Sequence, residues 1–318
     1  MKRFSKILTN LLAVILLVVG CVSLVGCGED ITTAEVKIQM YDYDGQEFYG
    51  ADESTLTIDL YGHLAPKTVE AMVKYINEGY YNNALIYAVN IDSITQYMVG
   101  DLYVDGDAIE VGENGVVNIK QKAVKPTLPG EFKYGGTTGS DLINAKGSVG
   151  LWRTWSSTGS WTASSATDTG SATWFMPTET RTSYNDYFCV FGQIDLTSTV
   201  NSATLDALDS LFESEENYTE YVIYYTYTAT ETTDGYTFGE YDEEKPNCGL
   251  VFNCVTEEYY EENIEELSED ELAEQGIKIF ETEDDQRQYT CYDKYTIKVP
   301  NNAGGKVGGM IKTATIKK

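Results

Sequence analysis

The sequence has 318 residues, of which 42% are hydrophobic, so the chain can bury one large core or a core with a sizeable insertion. Its 50 acidic and 22 basic residues give a formal charge of −28, whereas nucleic-acid binding depends on basic side chains that neutralise phosphates. The composition therefore excludes a chain that is disordered throughout and argues against nucleic acid as a partner.

Residues 1–27 have the pattern of an export signal. Lys2, Arg3 and Lys6 form a basic start, residues 7–19 are largely apolar, and residues 24–27 read LVGC. This quartet resembles the bacterial lipobox, which predicts Cys27 as the lipid-attachment residue and a mature protein anchored by lipid to the outer face of the cell membrane. An uncleaved membrane helix is the alternative, although the apolar stretch is shorter than the ~20 residues that a span needs. Cys21 is a weaker second candidate for lipid attachment.

The first predicted elements after the signal are two strands and a helix. Residues 34–43 and 55–61 alternate between apolar and polar side chains, which predicts a hairpin. Apolar residues at helical spacing then follow Pro66, which suits a first turn, and precede Gly79, which suits a helix end. Beyond this helix, short strands and turns rich in Gly and Thr predict a barrel.

Residues 213–285 form a predicted acidic insertion rich in Glu, Asp and Tyr. Tyr260, Ile264 and Leu267 fall on one helical face, and Ser268 with Glu271 fits a capping box, so the insertion is expected to contain a helix. It either serves as a solvated decoration or binds a partner. Strand-like sequence returns at residues 295–299 and 311–316, and a last strand that closes the barrel would remove exposed edges.

Four cysteines follow the predicted lipid-attachment site, namely Cys189, Cys248, Cys254 and Cys291. Outside the cell they permit three disulfide pairings that the sequence does not separate, and the apolar setting of Cys189 is typical of a buried free thiol. With one histidine and no CxxC pair, the chain is expected to hold no metal and to need no cofactor.

Several segments, in collinear order, resemble the cyclophilin-type peptidyl-prolyl cis-trans isomerases. Residues 56–101 match the opening half of that family through the segments APKTVE, EGYY and the final GD. The later matches are PGEF at 129–132, GSVGLWR at 147–153, GSATWFM at 170–176, VFGQI at 190–194, and the segments 205–211 and 311–316. The resemblance implies a mainly β domain over residues 28–318, with a closed eight-stranded antiparallel barrel, two capping helices and a substrate groove on the outer barrel wall.

The resemblance also assigns the groove residues, and most polar ones are replaced. Ala88 falls at the position of the family's groove arginine, and Met98, or alternatively Gln96, at that of its glutamine. The pocket phenylalanine is retained as Phe175 beside Trp174. The remaining aligned groove residues are Ser183, Tyr184 and Phe188, of which Ser183 replaces a tryptophan and Phe188 a histidine. Arg153 or Arg181 could supply a guanidinium at the rim, or each could pair with one of the many acids.

Two functions remain open at this point. The first is an extracytoplasmic isomerase or folding helper for proline-containing peptides or secreted unfolded proteins, with activity weakened because one preorganised donor is worth about 10²–10³ in rate. The second is a non-catalytic peptide- or protein-binding lipoprotein on the same scaffold. Trp152, Trp155, Trp161 and Trp174 either clasp a ligand or shield the barrel core.

Overall fold

A computed structural model describes the chain at residues 31–41, 47–49, 54–91, 94–112, 115–133, 142–153, 167–232, 235–238, 251–263, 289–302 and 304–317. The predicted signal, lipid-attachment site, Cys248, Trp155, Trp161, and the predicted helical residues Ile264, Leu267, Ser268 and Glu271 lie outside these ranges. The strands in chain order are β1 Ile31–Tyr41, β2 Glu47–Tyr49, β3 Thr55–Tyr61, β4 Ala84–Ile91, β5 Ile94–Val99, β6 Leu102–Val104, β7 Ile119–Gln121, β8 Ser148–Leu151, β9 Trp174–Pro177, β10 Val190–Ile194, β11 Tyr218–Thr232, β12 Gly235–Phe238, β13 Val251–Thr256, β14 Tyr289–Pro300 and β15 Gly309–Ile316. The α-helices are α1 Pro66–Asn77, α2 Thr199–Glu213 and α3 Glu257–Asn263, and a short 3-10 helix spans Thr182–Tyr184.

Eight of these strands close into an antiparallel barrel. Their order is β4-β15-β1-β3-β10-β8-β9-β5, and β5 pairs back with β4 to complete the ring. Every second side chain of each strand points inward, so Val36, Ile58 and Ile311 meet in one interior core. The predicted hairpin is confirmed as β1 and β3, with the short strand β2 between them, and the predicted closing strand as β15, which pairs with β1 from Ala34↔Ile316 to Met40↔Gly309.

Helices α1 and α2 pack their apolar faces on the same interior core. Met72 of α1 and Leu208 of α2 are both buried in it. Helix α1 begins at Pro66 as predicted and has no side-chain cap of its own, but the Glu131 carboxylate accepts hydrogen bonds from the backbone N–H groups of Lys67 (2.9 Å) and Thr68 (2.7 Å). A distant acid thus satisfies the first turn of the helix and complements its dipole.

The described part of the predicted insertion is mainly a β-sheet added to the barrel. Strand β11 pairs with β14 along its length and with β13 and β12 on its other edge, and β14 joins the barrel through the single pair Lys298↔Ala88. One face of this added sheet points toward the barrel, and Val222 on the other face packs with Val255 and with Tyr260 of α3. The sheet is therefore sandwiched between α3 and the barrel wall.

A two-stranded ribbon of β6 and β7 lies beside the added sheet, and its residues Leu102 and Ile119 are buried with those of the sheet. None of the helices in the described ranges is long and apolar enough to cross a bilayer.

Candidate functional site

Strands β4, β5 and β9 place three side chains in a row on the outer barrel wall. Tyr87 pairs with Met98 across β4 and β5, and Met98 pairs with Phe175 across β5 and β9. Residues paired across adjacent strands point to the same face of a sheet, so the three side chains are neighbours. They belong to an apolar cluster, here called the outer-wall cluster, which also includes Leu85, Val89, Leu102, Val117, Ile119, Tyr184, Phe188, Tyr221, Ile223, Cys254, Ile297, Val299 and Val307.

The retained phenylalanine, Phe175, lies at the bottom of an aromatic group and has no exposed surface. Trp152, Tyr184 and Phe188 meet its ring edge-on, at centroid distances of 5.8, 5.9 and 5.4 Å. The three covering rings are stacked on one another, with Phe188 4.4 Å from Tyr184 and 5.4 Å from Trp152. These four residues, called the aromatic cluster below, fill the place where the resemblance implies an open proline pocket.

The structure corrects the expected placement of Ala88. Its side chain has no exposed surface and joins the interior core, whereas Phe175 lies in the outer-wall cluster on the opposite side of the barrel wall. Because successive side chains of a strand alternate between faces, an offset of one residue moves a position to the wrong face. The residue of β4 that stands opposite Met98 on the outer wall is Tyr87, so Tyr87 and not Ala88 is the structural counterpart of a groove residue there.

The remaining predicted binding residues divide between the two faces. Gln96 and Met98 lie two residues apart on β5, are buried, and both face outward, with Gln96 Nε2 3.6 Å from the Met98 sulfur. Trp174 instead faces the barrel interior, where its ring meets Tyr81 edge-on at 6.3 Å. The prediction of Trp174 as a groove residue is therefore wrong in placement, since its side chain shields the core. Of the two tryptophans that the structure describes, Trp152 reaches the outer wall.

Two buried arginines flank the aromatic cluster, each with only 2% of its surface exposed. The Arg153 guanidinium lies over the rings of Phe132 (4.7 Å) and Phe188 (5.4 Å), and its Nε donates a hydrogen bond to the Tyr187 carbonyl at 2.8 Å. Burial lowers the pKa of Arg153 to about 10.

The Arg181 guanidinium lies over the Tyr184 ring at 4.0 Å, and its Nη1 is 3.5 Å from Gln96 Oε1. Sequence reasoning named both arginines as possible guanidinium donors. In the structure both arginines lie beside the aromatic cluster, and the side-chain amide of Gln96 is a neighbour of Arg181.

The Tyr87 hydroxyl on the outer wall forms a hydrogen bond with the half-buried side chain of Asp101. It donates to the Asp101 carboxylate, at 3.0 Å to Oδ1 and 3.2 Å to Oδ2. Burial raises the pKa of Asp101 to about 6, and the hydrogen bond from Tyr87 opposes this shift only in part. No pattern in the sequence indicated this pair, because it depends on which face Tyr87 occupies.

Cys189 and Cys254 are free, buried thiols, as was predicted for Cys189. Burial raises the pKa of Cys189 to about 12 and raises that of Cys254 well above its ordinary value. Both thiols are therefore poor nucleophiles in the folded protein. The position of the Cys291 sulfur lies outside what the structure describes.

Two comparisons with known proteins give matches, and the family model among them identifies the family. The family model described as cyclophilin type peptidyl-prolyl cis-trans isomerase/CLD matches residues 48–227, which is more than half of the chain. Among solved structures, a cyclophilin type peptidyl-prolyl cis-trans isomerase from Cryptosporidium parvum is 12% identical, and the match covers 58% of this chain and 88% of that chain with a TM-score of 0.34. A search of curated proteins gives no match.

Proposed function

Because the chain belongs to the cyclophilin-type peptidyl-prolyl cis-trans isomerase family, we propose that it is a lipid-anchored folding helper outside the cytoplasm. Its isomerase activity toward proline-containing peptides is weaker than that of an ordinary family member. The observation that carries this proposal is the row of Tyr87, Met98 and Phe175, in which β4 contributes a phenol and no cationic donor to the outer wall.

The physical reason for weakened activity lies in what amide rotation requires. A peptide bond resists rotation by about 18–20 kcal/mol because of resonance, so a catalyst must bind the twisted amide better than the planar one. A cationic N–H donor does this, since the amide nitrogen accepts a hydrogen bond only after it loses conjugation. The loss of one such donor costs about 10²–10³ in rate. Apolar contacts at Phe175 and Met98 would still bind the proline ring, but they would not stabilise the twisted amide.

The burial of Phe175 favours the second candidate function, a binding protein without catalysis. A peptide reaches Phe175 only if Tyr184, Phe188 or Trp152 moves aside, and displacing these packed rings lowers apparent affinity as well as rate. In this alternative the chain engages its partner through another surface.

A rate measurement separates the two functions. Cis-trans exchange of a proline-containing tetrapeptide is followed by NMR with the wild-type chain and with Tyr87→Arg, which places a guanidinium on the outer wall beside Met98. We expect slow catalysis by the wild type and a rate gain for Tyr87→Arg. Wild-type turnover as fast as an ordinary cyclophilin would contradict weakened activity, and absence of catalysis, with or without peptide binding, would favour the second function.

The matched control is Ala88→Arg. It puts the same guanidinium into the interior core, on the opposite face of β4 from Tyr87. Both positions are buried, so both variants should lose stability, and only Tyr87→Arg should gain rate.

The membrane anchor has its own test. Replacing Cys27 by alanine should move the protein from the membrane to the soluble fraction of bacterial cells, whereas Cys21→Ala should leave it at the membrane. An unchanged distribution for Cys27→Ala would contradict the lipid anchor at that residue.

A further inference from the structure

We propose that Lys122 and Lys125, which lie against the ring of Tyr80 just after the end of α1, bind a phosphate group. The site shares no residue with the outer-wall cluster or the aromatic cluster. The inference therefore does not depend on the proposed function.

The segment that carries these lysines differs in charge from the rest of the chain. Residues 114–130 contain Lys120, Lys122 and Lys125 and no Asp or Glu, whereas the whole chain has 50 acids against 22 bases. The formal charge of −28 repels anions in general. Basic side chains that outnumber the nearby acids reverse this repulsion locally, and residues 114–130 meet that condition.

Aromatic rings hold both ammonium groups in place. The Lys122 Nζ is 5.7 Å from the ring centroid of Tyr80 and 5.6 Å from that of Tyr103, and the Lys125 Nζ is 4.9 Å from the centroid of Tyr80. The Tyr80 hydroxyl donates to the Ala123 carbonyl at 3.1 Å, which fixes the ring. Attraction to the ring faces orders the two lysines without neutralising their charge.

The Lys122 ammonium has no carboxylate partner among the residues that the structure describes. Its Nζ donates to the Asn82 carbonyl at 2.8 Å, and the carboxylate of neighbouring Asp101 accepts from the Tyr87 hydroxyl instead. Burial lowers the pKa of Lys122, and no acid opposes this shift. A half-buried ammonium without a counter-ion has lost part of its hydration, and a bound anion would compensate for that loss.

Lys125 adds a second positive charge that is only partly neutralised. Its Nζ is 2.9 Å from the Glu78 carboxylate, but the same carboxylate is also 3.8 Å from the Lys74 Nζ. Together with Lys122, three cations thus face one acid. Lysine is a common phosphate ligand, and the several oxygens of a phosphate group can accept from two ammonium groups at once.

The site is open to solvent, so a ligand reaches it without displacing packed side chains. Lys122 and Lys125 are partly exposed, and Ala123, Val124 and Pro126 around them are exposed. A free phosphate ion and the headgroup of an anionic lipid offer the same chemistry to such a site, and the test below distinguishes them.

The test measures binding of two probes to the mature chain at low ionic strength. Inorganic phosphate is titrated by calorimetry, and phosphatidylcholine vesicles with or without phosphatidylglycerol are tested by cosedimentation. The matched control is Lys67→Gln, which removes an exposed lysine of α1 that pairs with Glu70. We expect Lys122→Gln to weaken binding at least about fivefold, Lys122→Arg to retain binding, and Lys67→Gln to change it less than about twofold.

The outcomes separate the two sources of phosphate. Binding of inorganic phosphate that Lys122→Gln weakens supports a site for a small anion. Binding confined to vesicles with phosphatidylglycerol, and weakened in the same way, supports a site for a lipid headgroup.

Other outcomes overturn the inference. These are absence of binding of both probes by the wild type, and equal effects of Lys122→Gln and Lys67→Gln. If Lys122→Gln does not fold, Lys125→Gln decides, since a loss of about threefold or more supports the site and a smaller change overturns it. None of these results bears on isomerase activity, so failure of this inference leaves the proposed function intact.

Discussion

Removing the ring of Phe188 is expected to open the aromatic cluster to a proline-containing peptide. Phe188 is 2% exposed and lies stacked between Tyr184 and Trp152, with its ring 5.4 Å from that of Phe175. Replacement by alanine leaves a space of about one benzene ring directly against Phe175. A proline ring is small enough to enter that space.

The magnitudes set what the experiment should show. A buried Phe→Ala substitution costs about 3–5 kcal/mol, which lies within the total stability of about 5–15 kcal/mol typical of folded domains. Burial of an apolar ring the size of a proline side chain returns roughly 1.5–3 kcal/mol. Since each 1.4 kcal/mol is about tenfold in affinity, Phe188→Ala should bind the peptide about 10- to 100-fold more tightly than the wild type.

Tryptophan fluorescence during a peptide titration measures this gain, because Trp152 stacks on Phe188. The control is Phe212→Ala, which removes a ring stacked on Tyr97 at 5.0 Å on the interior side of the barrel wall. It should weaken the fold without creating a binding site. Equal affinities for the wild type and both variants would refute the view that Phe188 occupies a peptide site.

Three further results are expected. Glu131→Gln should lower the free energy of unfolding by about 1.5–3 kcal/mol in urea denaturation, because a buried charge-assisted cap of α1 is lost. The control Glu70→Gln, on the exposed face of α1, should change the free energy of unfolding by less than about 0.5 kcal/mol. Equal effects of the two substitutions would contradict the capping role of Glu131. Burial raises the native pKa of Asp101 to about 6 from an ordinary value of 3.8, so the native state binds more protons than the unfolded state between these pH values. The free energy of unfolding of the wild type should therefore fall as the pH rises from about 4 to about 6, by on the order of 2 kcal/mol relative to Asp101→Asn. Parallel pH profiles of the two proteins would rule this out. Cys189 and Cys254 should resist alkylation at pH 8 until the protein is denatured, as mapped by mass spectrometry of the peptides, and modification of either thiol in the native protein would show that its burial is incomplete.

Much of the barrel can be predicted from sequence, because its strands alternate and its first helix carries clear end signals. The hairpin of β1 and β3, helix α1 and the closing strand β15 all follow from local patterns. The added sheet could not be predicted in this way. Strand β11 is rich in Tyr and Thr with few aliphatic residues, and its inward-facing residues acquire their partners only through pairing with β13 and β14.

The site was predicted less well because it depends on which face a strand residue occupies. The family match assigns positions by sequence order alone, and an offset of one residue along β4 exchanges its two faces, so the match does not fix the face of Ala88. Pairing across strands does fix it, since Tyr87 stands opposite Met98. The same dependence explains why Phe175 was correctly assigned to the outer wall while its neighbour Trp174 was not.

The position of β15 in the ring has a consequence for how the polypeptide reaches its native state. This strand lies between β1 and β4, yet it follows the whole insertion in the chain. Until it arrives, both neighbouring strands keep an open edge that can template pairing with other molecules. Overproduction at high temperature should therefore yield intermolecular aggregates, and a nascent chain should need shielding by a chaperone until residues 309–316 have emerged.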